Sequence, residues 1–153
     1  MFNYLKKIDM KLSTDNTSNK KYSAEKLAKV RVRIENVMVK QKKFRNRKYS
    51  FRTLVNEVDA PASLISAAIK EQNHSSFGAF VTACRLEDAK EIMDNRRFLN
   101  MTLSEVSEKV GFDSPENMNS AFYEYYGETV LEYALDRTYD LSGSKRSIIL
   151  KRR

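Results

Sequence analysis

Downstream of Leu103 the apolar positions fall at helical spacing in two short runs, Leu103, Val106 and Val110 in the first and Met118 and Phe122 in the second. Polar residues and glycine punctuate both runs. Thr102 with Glu105 three positions on is the reciprocal pattern in which each side chain satisfies an orphan backbone donor at a helix start. Gly111 supplies the positive φ that ends such a helix, and Ser114 followed by Pro115 restarts one with cap and first-turn residue in the preferred order. Two short helices separated by only about three residues, with Phe112 in the turn, form a helix-turn-helix, the unit that often places a helix in a DNA groove.

The same design recurs upstream in weaker form. Ser50 caps a segment in which Phe51, Leu54 and Val58 share a face, Asp59-Ala60-Pro61 breaks it, and a helix carrying Leu64, Ile65, Ala68 and Ile69 follows. Between the two units Ser76 caps a helix from Phe77 to about Asn95, with a wide apolar stripe of Phe77, Phe80, Val81, Cys84, Leu86, Ala89, Ile92 and Met93. At 1.5 Å per residue this spacer is roughly 28 Å long, comparable with the ~34 Å turn of a duplex. Further upstream Ser23 caps a helix to about Lys43, striped by Leu27, Val30, Ile34, Val37 and Met38. That stripe suits packing onto the first lobe, with a dimer seam as its other use.

The pattern predicts an all-α fold: two helix-turn-helix subdomains joined by a long linker helix, with an N-terminal extra helix. The expected organisation is a flexible basic arm over 1–21, an N-terminal helix and basic lead-in over 22–49, the first helix-turn-helix over 50–75, the linker helix over 76–98, the second helix-turn-helix and closing helix over 99–139, and a basic flexible tail over 140–153.

Composition narrows the function classes. The chain of 153 residues is long enough for one ordinary domain or two small lobes without disulfides. Its single cysteine, Cys84, fits a reducing cytoplasm and lies among apolar residues, a poor setting for a catalytic thiol. With one His, four Gly, no Gly-rich phosphate loop and no Cys/His ligand set, neither an enzyme nor a metal or other cofactor is expected. Glu87, Asp88 and Glu91 on the linker helix read as its solvated face. No apolar run approaches the ~20 residues of a membrane span, and the first twelve residues lack the apolar core and cleavage site of a secretion signal.

The net charge of +8 is unevenly distributed. Residues 1–50 hold 15 basic and 4 acidic residues, residues 51–140 hold 8 and 16, and the last 13 hold 5 and none. The body that contains both helix-turn-helix patterns is therefore acidic. Since phosphate neutralisation supplies most non-specific DNA affinity, attraction to a duplex would fall to the flanks or to a local cluster of Lys70, Arg52, Arg96, Arg97 and Lys109. Lys40, Lys42, Lys43, Arg45, Arg47 and Lys48 form a run entering the first helix-turn-helix. Tyr123, Tyr125, Tyr126, Tyr133 and Tyr139 make the end of the fold aromatic, which suits packing in the core or half-buried against it better than a stacking surface for single strands.

From about Tyr22 to Arg137 the chain resembles the double helix-turn-helix domain of AraC/XylS-type transcription regulators. The resemblance rests on Phe77-x-x-Phe80-Val81-x-x-x-Arg85-Leu86-x-x-Ala89 and Val106-Ser107-x-x-Val110-Gly111-Phe112-x-Ser114, continued by Phe122, Gly127, Thr129 and Tyr133. The lead-in Tyr22 to Tyr49 resembles the helix that precedes the domain in many Bacteroidetes-like members. The sequence departs from the family pattern at its reading edge: Ala67 and Ser120 stand where Arg is usual, Tyr123 where Lys is usual, Val130 where Pro is nearly invariant, Ala134 where Arg is usual and His74 where Gly is preferred.

The resemblance implies a cytoplasmic, sequence-specific transcription regulator reading two successive major-groove segments of double-stranded DNA as a monomer or weak dimer. RNA polymerase or another regulator is a further candidate partner. Base-facing candidates are Ala62, Ser63, Ser66, Ala67 and Lys70 in the first reading helix and Glu116, Asn119, Ser120 and Tyr123 in the second, with Asn119 suited to adenine. Phosphate-contact candidates are Lys42, Lys43, Arg45, Arg47, Lys48, Arg52, Arg96 and Arg97. The other reading is a degenerate helix-turn-helix that binds another regulator in place of DNA.

Overall fold

The computed structural model describes residues 21–95 and 101–140, the last five as backbone alone. Residues 1–20 of the expected arm over 1–21, residues 141–153 of the expected tail over 140–153, and Arg96 and Arg97 lie outside the described residues. Among those described, regular structure is entirely helical: α1 (Ala24–Glu35), α2 (Phe51–Val58), α3 (Ala62–Glu71), α4 (Phe77–Asp94), α5 (Leu103–Val110), α6 (Pro115–Tyr126) and α7 (Val130–Asp140). The chain forms two compact units. The described part of one comprises 21–41 and 50–80; that of the other comprises 42–49, 81–95 and 101–140.

In the first unit Ser23 caps α1 by accepting from the Lys26 amide at 3.4 Å. Leu27, Val30 and Ile34 are buried, and Val37 and Met38 continue the stripe through a π-helical turn at Asn36–Lys40. The helix therefore stops short of Lys43. Its apolar stripe packs on α3 and α2, so this face belongs to the core of its own lobe. Arg33 reaches back to donate to the carbonyls of Val58 and Asp59 at 3.3 and 3.4 Å, closing the C-terminal end of α2. Ser50 caps α2 through the Thr53 amide, and Asp59 ends it in the left-handed region at φ 50°. α3 then buries Leu64, Ile65, Ala68 and Ile69. The left-handed residue after α3 is Asn73, at φ 62°. Its neighbour His74 is buried against the Phe80 ring at 5.2 Å, and burial lowers its pKa.

The core of the second unit is built by Leu86, Ala89 and Ile92 of α4, Val106 and Val110 of α5, Phe112, Met118 and Phe122 of the turn and α6, and Val130 and Tyr133 of α7. Its helix ends follow the sequence punctuation closely. The Thr102 hydroxyl accepts from the Glu105 amide at 3.2 Å, while the Glu105 carboxylate accepts from the Thr102 amide at 2.6 Å. Gly111 (φ 96°) and Gly127 (φ 76°) end α5 and α6, and Ser114 caps α6 ahead of Pro115. Thr129 and Glu132 form a second reciprocal cap at the start of α7, with Glu132 accepting from the Thr129 amide at 2.7 Å.

Two expectations are corrected here. Asp88 is not on a solvated face; it is 4% exposed and lies under two cations. Glu87 likewise accepts from the Tyr126 hydroxyl. The tyrosines divide, with Tyr133 buried and Tyr126 partly so, while Tyr123 and Tyr125 are 58% and 47% exposed. Cys84 is buried, and burial pushes its thiol pKa up to about 12.

Candidate nucleic-acid interface

The first candidate reading helix, α3, follows a break of only three residues and is held from behind by four buried side chains. Its other side presents Ala62, Ser63 and Lys70 exposed, with Ser66 and Ala67 half-buried between them. Lys70 and Ser66 also border a recess of about 260 Å³ that reaches Phe51, Ser76 and Phe77. Arg52, in the first turn of α2, is exposed. The Tyr22 hydroxyl lies 2.6 Å from the Ser63 hydroxyl, which places the start of the described chain beside the candidate reading edge. That hydrogen bond, led by Ser63 as partner, lowers the Tyr22 pKa. No local pattern foretells a contact across 41 residues, and Tyr22 was absent from the expected site.

The second candidate, α6, is as well framed and differently equipped. Glu116 and Ser120 are exposed, and Tyr123 is the most exposed large apolar side chain described. No Lys or Arg occurs anywhere on α6. Asn119 is half-buried, and its Oδ1 accepts from the Val130 amide at 3.1 Å. A bidentate reading of adenine needs that same oxygen as acceptor and the amide nitrogen as donor, so the two uses compete. Val130 supplies a donor that the proline expected from the resemblance would lack.

The basic run divides in the same way. The Lys42 ammonium lies 2.7 Å from Asp88 and 3.3 Å from Glu91. Arg45 forks onto both Asp88 oxygens at 2.7 and 2.9 Å, and this bonding raises its pKa. Lys43 is half-buried, whereas Arg47 and Lys48 are exposed. The Arg47 guanidinium is 4.0 Å from the exposed Asp113 carboxylate, in the turn that leads into α6. The lead-in is fastened to its own unit by Phe44, buried in the core, and by Arg85, whose Nε donates to the Phe44 carbonyl at 2.8 Å and whose guanidinium lies 5.9 Å from the centre of the Phe112 ring. A Cβ on Gly111 would sit 2.5 Å from the Arg45 carbonyl oxygen, so the helix-turn-helix turn and the lead-in touch backbone to backbone.

Among the described residues no cluster of His, Cys, Asp and Glu could hold a metal ion, and no helix is long and apolar enough to cross a membrane. Against known proteins, a family profile described as "Helix-turn-helix domain" matches residues 54–135. No curated protein matches the sequence. Among solved structures the chain is similar to a DNA-binding transcriptional dual regulator from Escherichia coli K-12, at 19% identity and TM-score 0.58, over 82% of this chain and 97% of that one. It is similar to the C-terminal domain of AraT, a response regulator from Geobacillus stearothermophilus, at 22% identity and TM-score 0.56, over 81% and 93%. A third is the C-terminal domain of the two-component response regulator yesN from Fusobacterium nucleatum, at 21% identity and TM-score 0.54, over 66% and 93%.

Proposed function

Because the chain belongs to the helix-turn-helix domain family of AraC type, we propose that it is a transcription regulator that binds duplex DNA sequence-specifically, with α3 and α6 addressing two successive major-groove segments. The observation that carries this reading is the exposed edge of α3, where two hydroxyls and one lysine stand on a short helix whose opposite side is locked into a core. Ser63 and Ser66 hydrogen-bond to any base edge, and Lys70 favours guanine. With no arginine on either reading helix, discrimination between sequences is modest. The protein acts in the cytoplasm without enzymatic chemistry, as a monomer or weak dimer, and RNA polymerase or another regulator is its further partner.

Fluorescence anisotropy with mixed genomic duplex at two salt concentrations tests the proposal, followed by selection of the bound sequences. Affinity that falls steeply with salt supports it. Absence of binding at low salt overturns it, as does binding that shows no dependence on salt.

A second reading is favoured by one observation. Residues 101–140 carry two basic and nine acidic residues, and α6 offers Glu116, Tyr123 and Glu124 to its surroundings. Such a face suits a cationic protein surface better than a phosphate backbone. Under this reading the protein docks on another regulator, and the same titration shows no duplex binding at low salt.

A further inference from the structure

The acidic second helix-turn-helix poses a physical problem for any protein that lays α6 along a duplex. α6 has no cation, and the turn before it contributes only the Asp113 carboxylate. The cations come from elsewhere in the chain. Residues 42–49 lie between α1 and α2 in sequence, yet they fold as part of the second unit, against α4 and the turn at Gly111.

We propose that residues 42–49 are a phosphate-contacting arm of the second helix-turn-helix, with Arg47 and Lys48 as its contacts and Asp88 as the residue that positions it. The inference rests on the DNA-binding reading above and assigns its electrostatics. Lys42 and Arg45 direct their charge at Asp88, which is 4% exposed, and so act as pins. Arg85 holds the next turn through the Phe44 carbonyl, and buried Tyr49 closes the far end, its amide donating to the Asn46 carbonyl at 3.1 Å. Between these anchors Arg47 and Lys48 face solvent.

Arg47 lies beside Asp113, the residue immediately ahead of the α6 cap. The Asp113 carboxylate is 4.0 Å away and 80% exposed, a long and solvated pairing that a phosphate oxygen displaces with shorter, bidentate geometry. Asp113 thereby sets how readily the arm engages, since its carboxylate competes for the same guanidinium. The arm supplies affinity and orientation and carries no sequence information, as phosphate contacts do generally.

The test measures anisotropy of the full chain on a mixed-sequence duplex across salt for wild type, Arg47→Gln/Lys48→Gln and Asp113→Asn. Removing one phosphate-binding cation lowers the slope of log affinity against log salt by about 0.9, so the double variant is expected to lose about 2 in slope and to weaken equally on all sequences. Asp113→Asn is expected to tighten binding, and this gain vanishes when Arg47 is already Gln. Circular dichroism checks that the variants, all at exposed positions, keep their helices. A wild type that binds with salt sensitivity and a double variant of unchanged slope overturn the arm and leave the DNA reading standing. A wild type that binds no duplex at low salt overturns both.

Discussion

The two helix-turn-helix units are unlike in opposite respects. In the second, α5 begins with a reciprocal cap, α5 and α6 end on glycines in the left-handed region, and α6 starts with Ser114-Pro115. In the first, α2 ends on Asp59 forced to φ 50°, and α3 follows Pro61, which offers no side-chain cap. Their sequence charges run the other way. Residues 50–75 carry two basic and three acidic residues, whereas 101–140 carry two and nine. The unit with the firmest backbone grammar thus has the surface least suited to a polyanion. Scaffold and reading surface are specified by different residues, so one can stay sharp while the other changes.

Substitutions put this contrast to the test, and the largest effect is expected at Gly111. Alanine there combines φ 96° with a Cβ driven to 2.5 Å from the Arg45 carbonyl oxygen, and chemical denaturation should show a loss of about 3 kcal/mol. Gly127→Ala, at φ 76° with open space around it, should lose only about 1 kcal/mol. Equal losses at the two glycines would mean that the lead-in does not press on the turn in solution. Next comes Asp88→Leu, which strands Arg45 and leaves Lys42 with Glu91 alone. Because the Lys42 and Arg45 side chains are 26% and 31% exposed and regain water, the expected cost is about 2 kcal/mol, below that of a fully buried pair.

Thr102→Ala, removing the hydroxyl of the reciprocal cap, should cost about 1 kcal/mol by the same assay. Acid separates the units further. The Glu105 and Glu132 carboxylates are held below the usual 4.5 by hydrogen bonds from Thr102 and Thr129. Their contribution to the second unit is present above about 4.5 and is lost as pH falls below it. In the first unit, His74 is kept neutral by burial, so stability is full above about 6.5 and declines as pH falls from there. NMR during an acid titration should therefore show the first unit softening at higher pH than the second. The smallest change is expected from Asp59→Gly, which relieves the left-handed strain but loosens the unfolded chain, for a net gain of about 0.5 kcal/mol.

Legibility in the sequence followed the range of each interaction. Ser23, Ser50, Ser76, Thr102, Ser114 and Gly111 act within a turn of their own position, and the structure places each where the sequence implied. The Thr129–Glu132 cap has the same spacing and could have been read in the same way. Asp88 could not. A carboxylate flanked by Glu87 on a charged helix looks solvated until partners 43 and 46 residues away fold over it. Asn119 misleads for a similar reason, since its oxygen is engaged by a backbone amide from the next helix. At the candidate site, helical spacing located the exposed edge of α3, while the division of the basic run into pins and outward cations depends on tertiary packing that no spacing rule encodes.

Cys84 has a practical consequence. A thiol with its pKa pushed up to about 12 carries almost no thiolate at neutral pH, and its burial bars reagents as well. It is the chain's sole cysteine. Alkylation therefore proceeds only when α4 opens around it, and the labelling rate becomes a stopwatch for that opening. The molecule carries its own reporter of whether a duplex, a protein partner or a change of pH holds the linker helix shut.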